Sequence, residues 1–187
     1  MGILMKVVVM VLLLITSGCS FNSVAAEKDV VTTSLQSEMT VTVLDVGQGE
    51  AILVSKGTHN YLIDGGLTEN AASLVTTLKD KGITELDAVI ATHPHADHIG
   101  GLPLVLESFK VKKIQFQLLR TPEKILIDEE GAEQAAYFEV LFPEDKLLTD
   151  TRSDLNSNSA VMKLVYKNFS MLLTGDATSS TEKSILA

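Results

Sequence analysis

The sequence predicts an α/β domain built on a mixed sheet. Three observations carry that prediction. Short β-branched runs alternate with segments of helical spacing. One run, Leu86 to Ala91, is apolar almost throughout, the pattern of a strand buried on both faces. Two pairs of runs are separated only by short turns, Gly57 in the first and Lys167-Asn168 in the second, which is the spacing of hairpins.

The elements follow in order. Met1 to Ser17 reads as a leader: Lys6, then the apolar run Val7 to Ile15. That run is too short to cross a hydrocarbon core, which needs about 20 residues, and it fits a secretory h-region. Thr16-Ser17-Gly18-Cys19 follows and resembles a bacterial lipobox, which implies lipidation at Cys19. Val24-Ala25-Ala26 is a competing cleavage site. Residues 1–18 are therefore expected to be a lipoprotein signal peptide, 19–37 a flexible tether, and 38–187 the folded domain. The mature chain is expected to be exported and lipid-anchored to the cell membrane, or secreted after cleavage near Ala26. Met39 to Asp45 alternates as a strand. Gly47-Gln48-Gly49 is a turn, and Ala51–Ser55 and His59–Asp64 are the first hairpin. Asn70 to Lys81 has helical spacing and stops at Gly82. After Leu86–Ala91 comes a helix over Ile99–Phe109, interrupted early by Pro103, then a strand over Val111–Leu118. Glu133 to Phe142 reads as a helix running into a strand or as a strand alone, and Asn156 to Ser159 as a polar loop. Ala160–Tyr166 and Phe169–Leu173 are the second hairpin, and the last residues start a helix.

Composition removes several functions. The 187 residues suit one domain, and 45% hydrophobic with 21% charged excludes wholesale disorder. A net charge of −9 argues against a broad basic nucleic-acid-binding face. It leaves open an enzyme that meets phosphate through metal. A single cysteine excludes an intramolecular disulfide and any Cys-rich zinc module.

The histidines carry the chemistry. Three of the four fall in Thr92-His93-Pro94-His95-Ala96-Asp97-His98, directly after the apolar strand. In a loop leaving a strand, that spacing lets several side chains converge on one small volume. Imidazole with carboxylate and no thiolate suits Zn²⁺, and also Mn²⁺ or Fe²⁺. A plain surface His cluster is the competing reading, as a plain turn is for Asp64-Gly65-Gly66 and for Gly175-Asp176.

THPHADHIGG resembles the signature of the metallo-β-lactamase superfamily. LDVGQGEAILV, YLIDGG, NSNSAVMKL and LLTGDA resemble, more narrowly, the ComEC-like (competence-type) branch, from about Met39 to Ala177. The resemblance implies an αββα sandwich with a metal site at one edge of two sheets. It implies His93 and His95 as ligands of a first metal, Asp97 and His98 of a second, and Asp176 bridging both, with two Zn²⁺ per complete site. It implies Asp64 as the carboxylate that orients the histidine loop. Gly47 and Gln48 would receive a phosphate oxygen in a backbone nest, or only form a tight turn. Asn156, Asn158 and Ser159 stand where many members carry a further histidine; they would bind substrate, or pin their loop by Asx-turns. The superfamily places a final histidine after the aspartate. This chain ends eleven residues after Asp176 without one, so the C-terminal part of the second half is expected to be missing.

The chemistry so implied is hydrolysis by a metal-activated hydroxide, with Asp97 or Asp176 handling the proton. The substrate expected is a phosphodiester, DNA strands or choline-phosphate esters of a cell-wall polymer. β-Lactams are disfavoured by the ComEC-like motifs, and no protein partner is inferred. The rival from another class is a non-catalytic, envelope-anchored binding or scaffold protein with a degenerate metal site. His59 has no motif role and is expected at a turn or the surface.

Overall fold

The computed structural model describes residues 38–116, 119–128 and 135–187; the leader and the tether lie outside the described residues. Among the described residues nine strands form two sheets. In the first, β1 (Met39–Val43), β2 (Ile52–Lys56) and β3 (His59–Ile63) pair antiparallel in sequence order. β4 (Glu85–Ala91) and β5 (Lys110–Phe116) then add in parallel, which makes the sheet mixed. The second sheet is an antiparallel meander of β6 (Glu123–Leu126), β7 (Tyr137–Phe142), β8 (Val161–Tyr166) and β9 (Phe169–Leu173).

The sheets bury one core between them. Val54, Ile63 and Ile90 of the first meet Phe138, Met162 and Leu164 of the second. β7 shows how sequence dictates this: its alternation sends Phe138, Val140 and Phe142 inward and leaves Tyr137, Glu139 and Leu141 partly exposed. Tyr61 packs edge-on against Phe138 (centroids 5.6 Å apart), and its hydroxyl donates to the Leu126 carbonyl at 3.1 Å, tying sheet to sheet. The other face of the first sheet carries a second apolar layer. Helix α1 (Ala71–Asp80) lays Leu74, Val75 and Leu78 there, at the i, i+1, i+4 positions of one face, and α3 (Leu102–Ser108) adds Leu102 and Val105.

Lys56, at the end of β2, makes an ion pair with Asp128, just past β6. Both side chains are nearly buried. Burial opposes the Asp128 charge. The Lys56 contact and a hydrogen bond from the Ala136 amide (2.5 Å) outweigh it and hold the carboxyl below its ordinary value. A carboxyl with a lowered folded pKa stabilises above its unfolded pKa and ceases to do so as pH falls through the folded one. Asp128→Asn is therefore expected to cost about 2 kcal/mol at pH 7, between an exposed and a fully buried pair. The difference from wild type should shrink below about pH 4. Urea melts at pH 7 and pH 3 check this; a penalty that is the same at both would refute it.

Local departures from the sequence reading have plain causes. Pro103 does not interrupt a helix: it sits in the first turn of α3, where no amide is needed, and Ala96–Ile99 forms a separate short helix, α2. Asn156 to Ser159 is not a loop throughout. Asp154–Ser157 is one helical turn, α4, with the Ser153 side chain accepting from the Asn156 amide. β6 is a strand the sequence reading lacked. In β7 the strand alternative holds from Tyr137; residues 129–134 lie outside the described part. His59 opens β3, half-exposed beside Asp87 at 3.3 Å.

Candidate metal centre

The centre grows from the parallel pairing of β3 and β4. Ile63 stands beside Ile90 in register, so the residues after each strand leave the sheet side by side at its carboxyl edge, where ligands bind in open α/β sheets. Asp64 follows β3 and Thr92 follows β4. Asp64 is fully buried and sits at φ 56°, a left-handed conformation held by its contacts. Its amide donates to the Ile90 carbonyl (2.8 Å). Its Oδ1 accepts from the Thr92 amide (2.8 Å), and its Oδ2 accepts from Thr92 Oγ1 (2.6 Å) and His98 Nδ1 (2.6 Å).

This network assigns the protons. Thr92 Oγ1 donates to Asp64, so at the 3.0 Å contact with His93 Nδ1 it accepts. The proton of neutral His93 is thereby spent on Nδ1, and Nε2 presents a lone pair. His98 likewise donates from Nδ1 and turns Nε2 outward. His93 is fully buried, and its ring is held below its ordinary pKa by burial first and by His98 second. Burial also lowers His98, but the Asp64 hydrogen bond and the charges of Asp64, Asp176 and Asp97 outweigh it and raise that ring above its ordinary value. A ligating imidazole must be neutral, so metal affinity falls on acidification.

The second sheet delivers the remaining carboxylate. The Ala160 amide, at the start of β8, donates to the Thr92 carbonyl (2.9 Å), joining the ends of the two sheets. After β9, Gly175 packs on Thr92, where an added Cβ would lie 2.9 Å from Oγ1. Asp176 then projects between the imidazoles. Its Oδ2 is 3.9 Å from His93 Nε2, and its Oδ1 is 3.3 Å from His98 Nε2. His95 Nδ1 lies 3.0 Å from His93 Nε2.

These donors fit a divalent ion. Two imidazole nitrogens at 3.0 Å, one of them a lone pair, need a proton or a cation between them. Tetrahedral zinc with nitrogen ligands at about 2.0–2.1 Å brings such nitrogens to roughly 3.3 Å of each other. Among the described residues two groups of donor atoms each gather within 4.8 Å: His93, His95 and Asp176, and Glu50, Asp64 and His98. Asp97 belongs to neither group. Its backbone carbonyl accepts from the Glu50 amide (3.2 Å), and its carboxylate has no hydrogen-bond partner among the described residues.

Gly49 makes that approach possible. At φ 105°, an added Cβ would stand 1.8 Å from the Asp97 carbonyl oxygen. Gly47 receives an Asx-type bond, its amide donating to Asp45 Oδ1 (3.1 Å), and Gln48 is exposed. Asn158 pins its loop: its side chain accepts from the Leu148 amide (2.8 Å) and donates to the Leu148 (2.8 Å) and Asp154 (2.7 Å) carbonyls. Asn156 reaches the centre, its Nδ2 donating to Asp176 Oδ2 (3.2 Å). Its Oδ1 and the Ser159 hydroxyl are buried with no partner.

Two participants went unread in the sequence. Thr92 stands inside the histidine motif, and a hydroxyl beside a ligand histidine is a natural proton partner. Glu50 follows the Gly-Gln-Gly turn directly and opens an otherwise apolar run, which is the available signal. Its carboxyl is raised above its ordinary value by burial first and then by the charge of Asp64.

A helix-covered two-sheet sandwich with histidines and carboxylates converging at one edge defines a class of α/β metal-site proteins. The chain belongs to the metallo-beta-lactamase superfamily, whose family model matches residues 44–183. It is similar to ComE operon protein 3 of Bacillus subtilis (29% identical, covering 81% of this chain and 24% of that one). It is also similar to Recombination protein 2 of Haemophilus influenzae (31% identical; 76% and 19%). These relatives place it with the ComEC-like proteins, of whose length it spans a quarter or less. Among solved structures, a metallo-beta-lactamase of Cronobacter sakazakii with a HARLDQ motif shares the fold (TM-score 0.53, 14% identical, 74% of this chain and 61% of that one).

Proposed function

We propose that the chain is a metal-dependent phosphodiesterase of the nuclease type, acting outside the cytoplasm on polynucleotide strands. The observation that carries this reading is the division of Asp176. Its two oxygens face two different imidazoles, His93 and His98, as one carboxylate serving two ions requires. Two divalent ions, Zn²⁺ first and Mn²⁺ or Fe²⁺ as substitutes, would supply Lewis acidity and a hydroxide-like nucleophile at neutral pH. His93, His95 and Asp176 would hold one ion, and His98 and Asp176 the other. Thr92 and Asp64 keep the two lone pairs aimed outward, and Asn156 restrains Asp176. Asp97 would take the proton from the attacking water. A competence protein and a recombination protein among the relatives favour a polynucleotide over a wall polymer.

The test is stoichiometry with turnover. The purified chain loaded with Zn²⁺ is expected to bind close to two ions and to hydrolyse bis(p-nitrophenyl) phosphate in a chelator-sensitive way. No bound metal and no turnover would overturn the reading and favour the non-catalytic scaffold. Export and anchoring rest on Lys6, the apolar run and Cys19. Cys19→Ser is expected to move the protein from the membrane fraction to the soluble one; continued sedimentation with membranes would refute the lipid anchor.

A further inference from the structure

Beside the metal centre lies a cavity of about 410 Å³ walled by Arg152, Ser153, Asn156, Thr178, Ser179 and Ser180. Its size falls in the range of small-ligand sites, about 300–1,000 Å³. Asn156 is the wall it shares with the centre, through the bond from Nδ2 to Asp176. A carboxylate only accepts, so the amide group must face Asp176. Oδ1 is thereby turned away, and it is buried without a partner.

The charge is equally unspent. Arg152 is exposed and makes no ion pair or hydrogen bond among the described residues, in a chain of net charge −9. Its neighbour Asp154 makes no ion pair with it and spends Oδ1 on the Thr151 amide (2.8 Å) and hydroxyl (2.7 Å). Guanidinium is the side chain best suited to phosphate, by paired N–H donors. The Ser179 and Ser180 hydroxyls add neutral donors. Among the described residues no aromatic lines the cavity, so they offer no stacking platform and suit sugar and phosphate rather than base.

We propose that this cavity seats the phosphate next to the scissile one in a single polynucleotide strand, with Arg152 as its counter-charge. The inference rests on the phosphodiesterase reading and adds a substrate subsite to it. It explains how an acidic protein holds a polyanion at one defined place without a basic face.

The experiment is binding of fluorescent oligo(dT) to the full chain by anisotropy, in EDTA, across a salt series. Arg152→Gln is expected to weaken binding about tenfold. It should also flatten the dependence of log affinity on log salt by about 0.7, the share of one single-strand phosphate. Arg152→Lys should restore the slope. Lys163→Gln, a cation on β8 away from the cavity, is the control and should change neither. An unaltered affinity and slope in Arg152→Gln, or an equal loss in Lys163→Gln, overturns the subsite. So does a loss seen only with a polyol-phosphate polymer. None of these outcomes touches chelator-sensitive hydrolysis of bis(p-nitrophenyl) phosphate, on which the phosphodiesterase reading stands or falls.

Discussion

His95→Ala is expected to reduce bound metal from two ions per chain to at most one, and to cut hydrolysis of bis(p-nitrophenyl) phosphate about a thousandfold. His95 supplies one of the two nitrogens that converge at 3.0 Å, and its removal leaves the first ion only His93 and Asp176. A thousandfold is about 4 kcal/mol, in keeping with the several kcal/mol that a metal supplies to a transition state. The variant is informative because His95 is partly exposed and belongs to neither apolar cluster. The metal-free protein should therefore melt within about 0.5 kcal/mol of wild type. Two retained ions with undiminished turnover would contradict the assignment of the centre.

Asp64→Asn is expected to damage both stability and metal binding. The wild-type carboxylate accepts three hydrogen bonds at full burial, from Thr92 N, Thr92 Oγ1 and His98 Nδ1. An asparagine offers one acceptor oxygen and turns an amide donor toward a donor. Leaving such a buried network broken costs about 3–5 kcal/mol, or roughly 10 °C in a chain of this size. Because His98 also loses the partner that fixes its tautomer, metal affinity should fall 10–100-fold. Calorimetry of the metal-free protein and zinc titration measure the two effects separately. A melting temperature within a degree of wild type would show that Asp64 does not hold the loop.

How much of this was readable depends on where the information lies. β4 and the histidine run were legible because a continuous apolar strand leads straight into closely spaced ligands. α1 was legible from its periodicity and from Gly82, which takes φ 78° just past its end. β6 was not, because four residues, Glu123 to Leu126, carry no alternation strong enough to stand alone; they become a strand by pairing with β7. α4 was invisible for a similar reason: one turn has no period, and only its Ser153 cap marks it. At the centre, His93 and Asp176 were accessible through motif resemblance. The proton roles of Thr92 depend on the register of β3 against β4, and the depth of Glu50 on its backbone bonds with Asp97 and Gly66, long-range facts that local sequence does not encode.

The hydrogen bond from Ala160 to Thr92 marks the seam where two separately stitched halves meet. Every imidazole of the centre hangs from one half, and Asp176 hangs from the other, far along the chain. The group of His93, His95 and Asp176 spans both halves, so a nascent chain completes it only when its late hairpin has docked, after the entropic cost of closing that long loop has been met. Capture of an ion by that group would then register completed assembly.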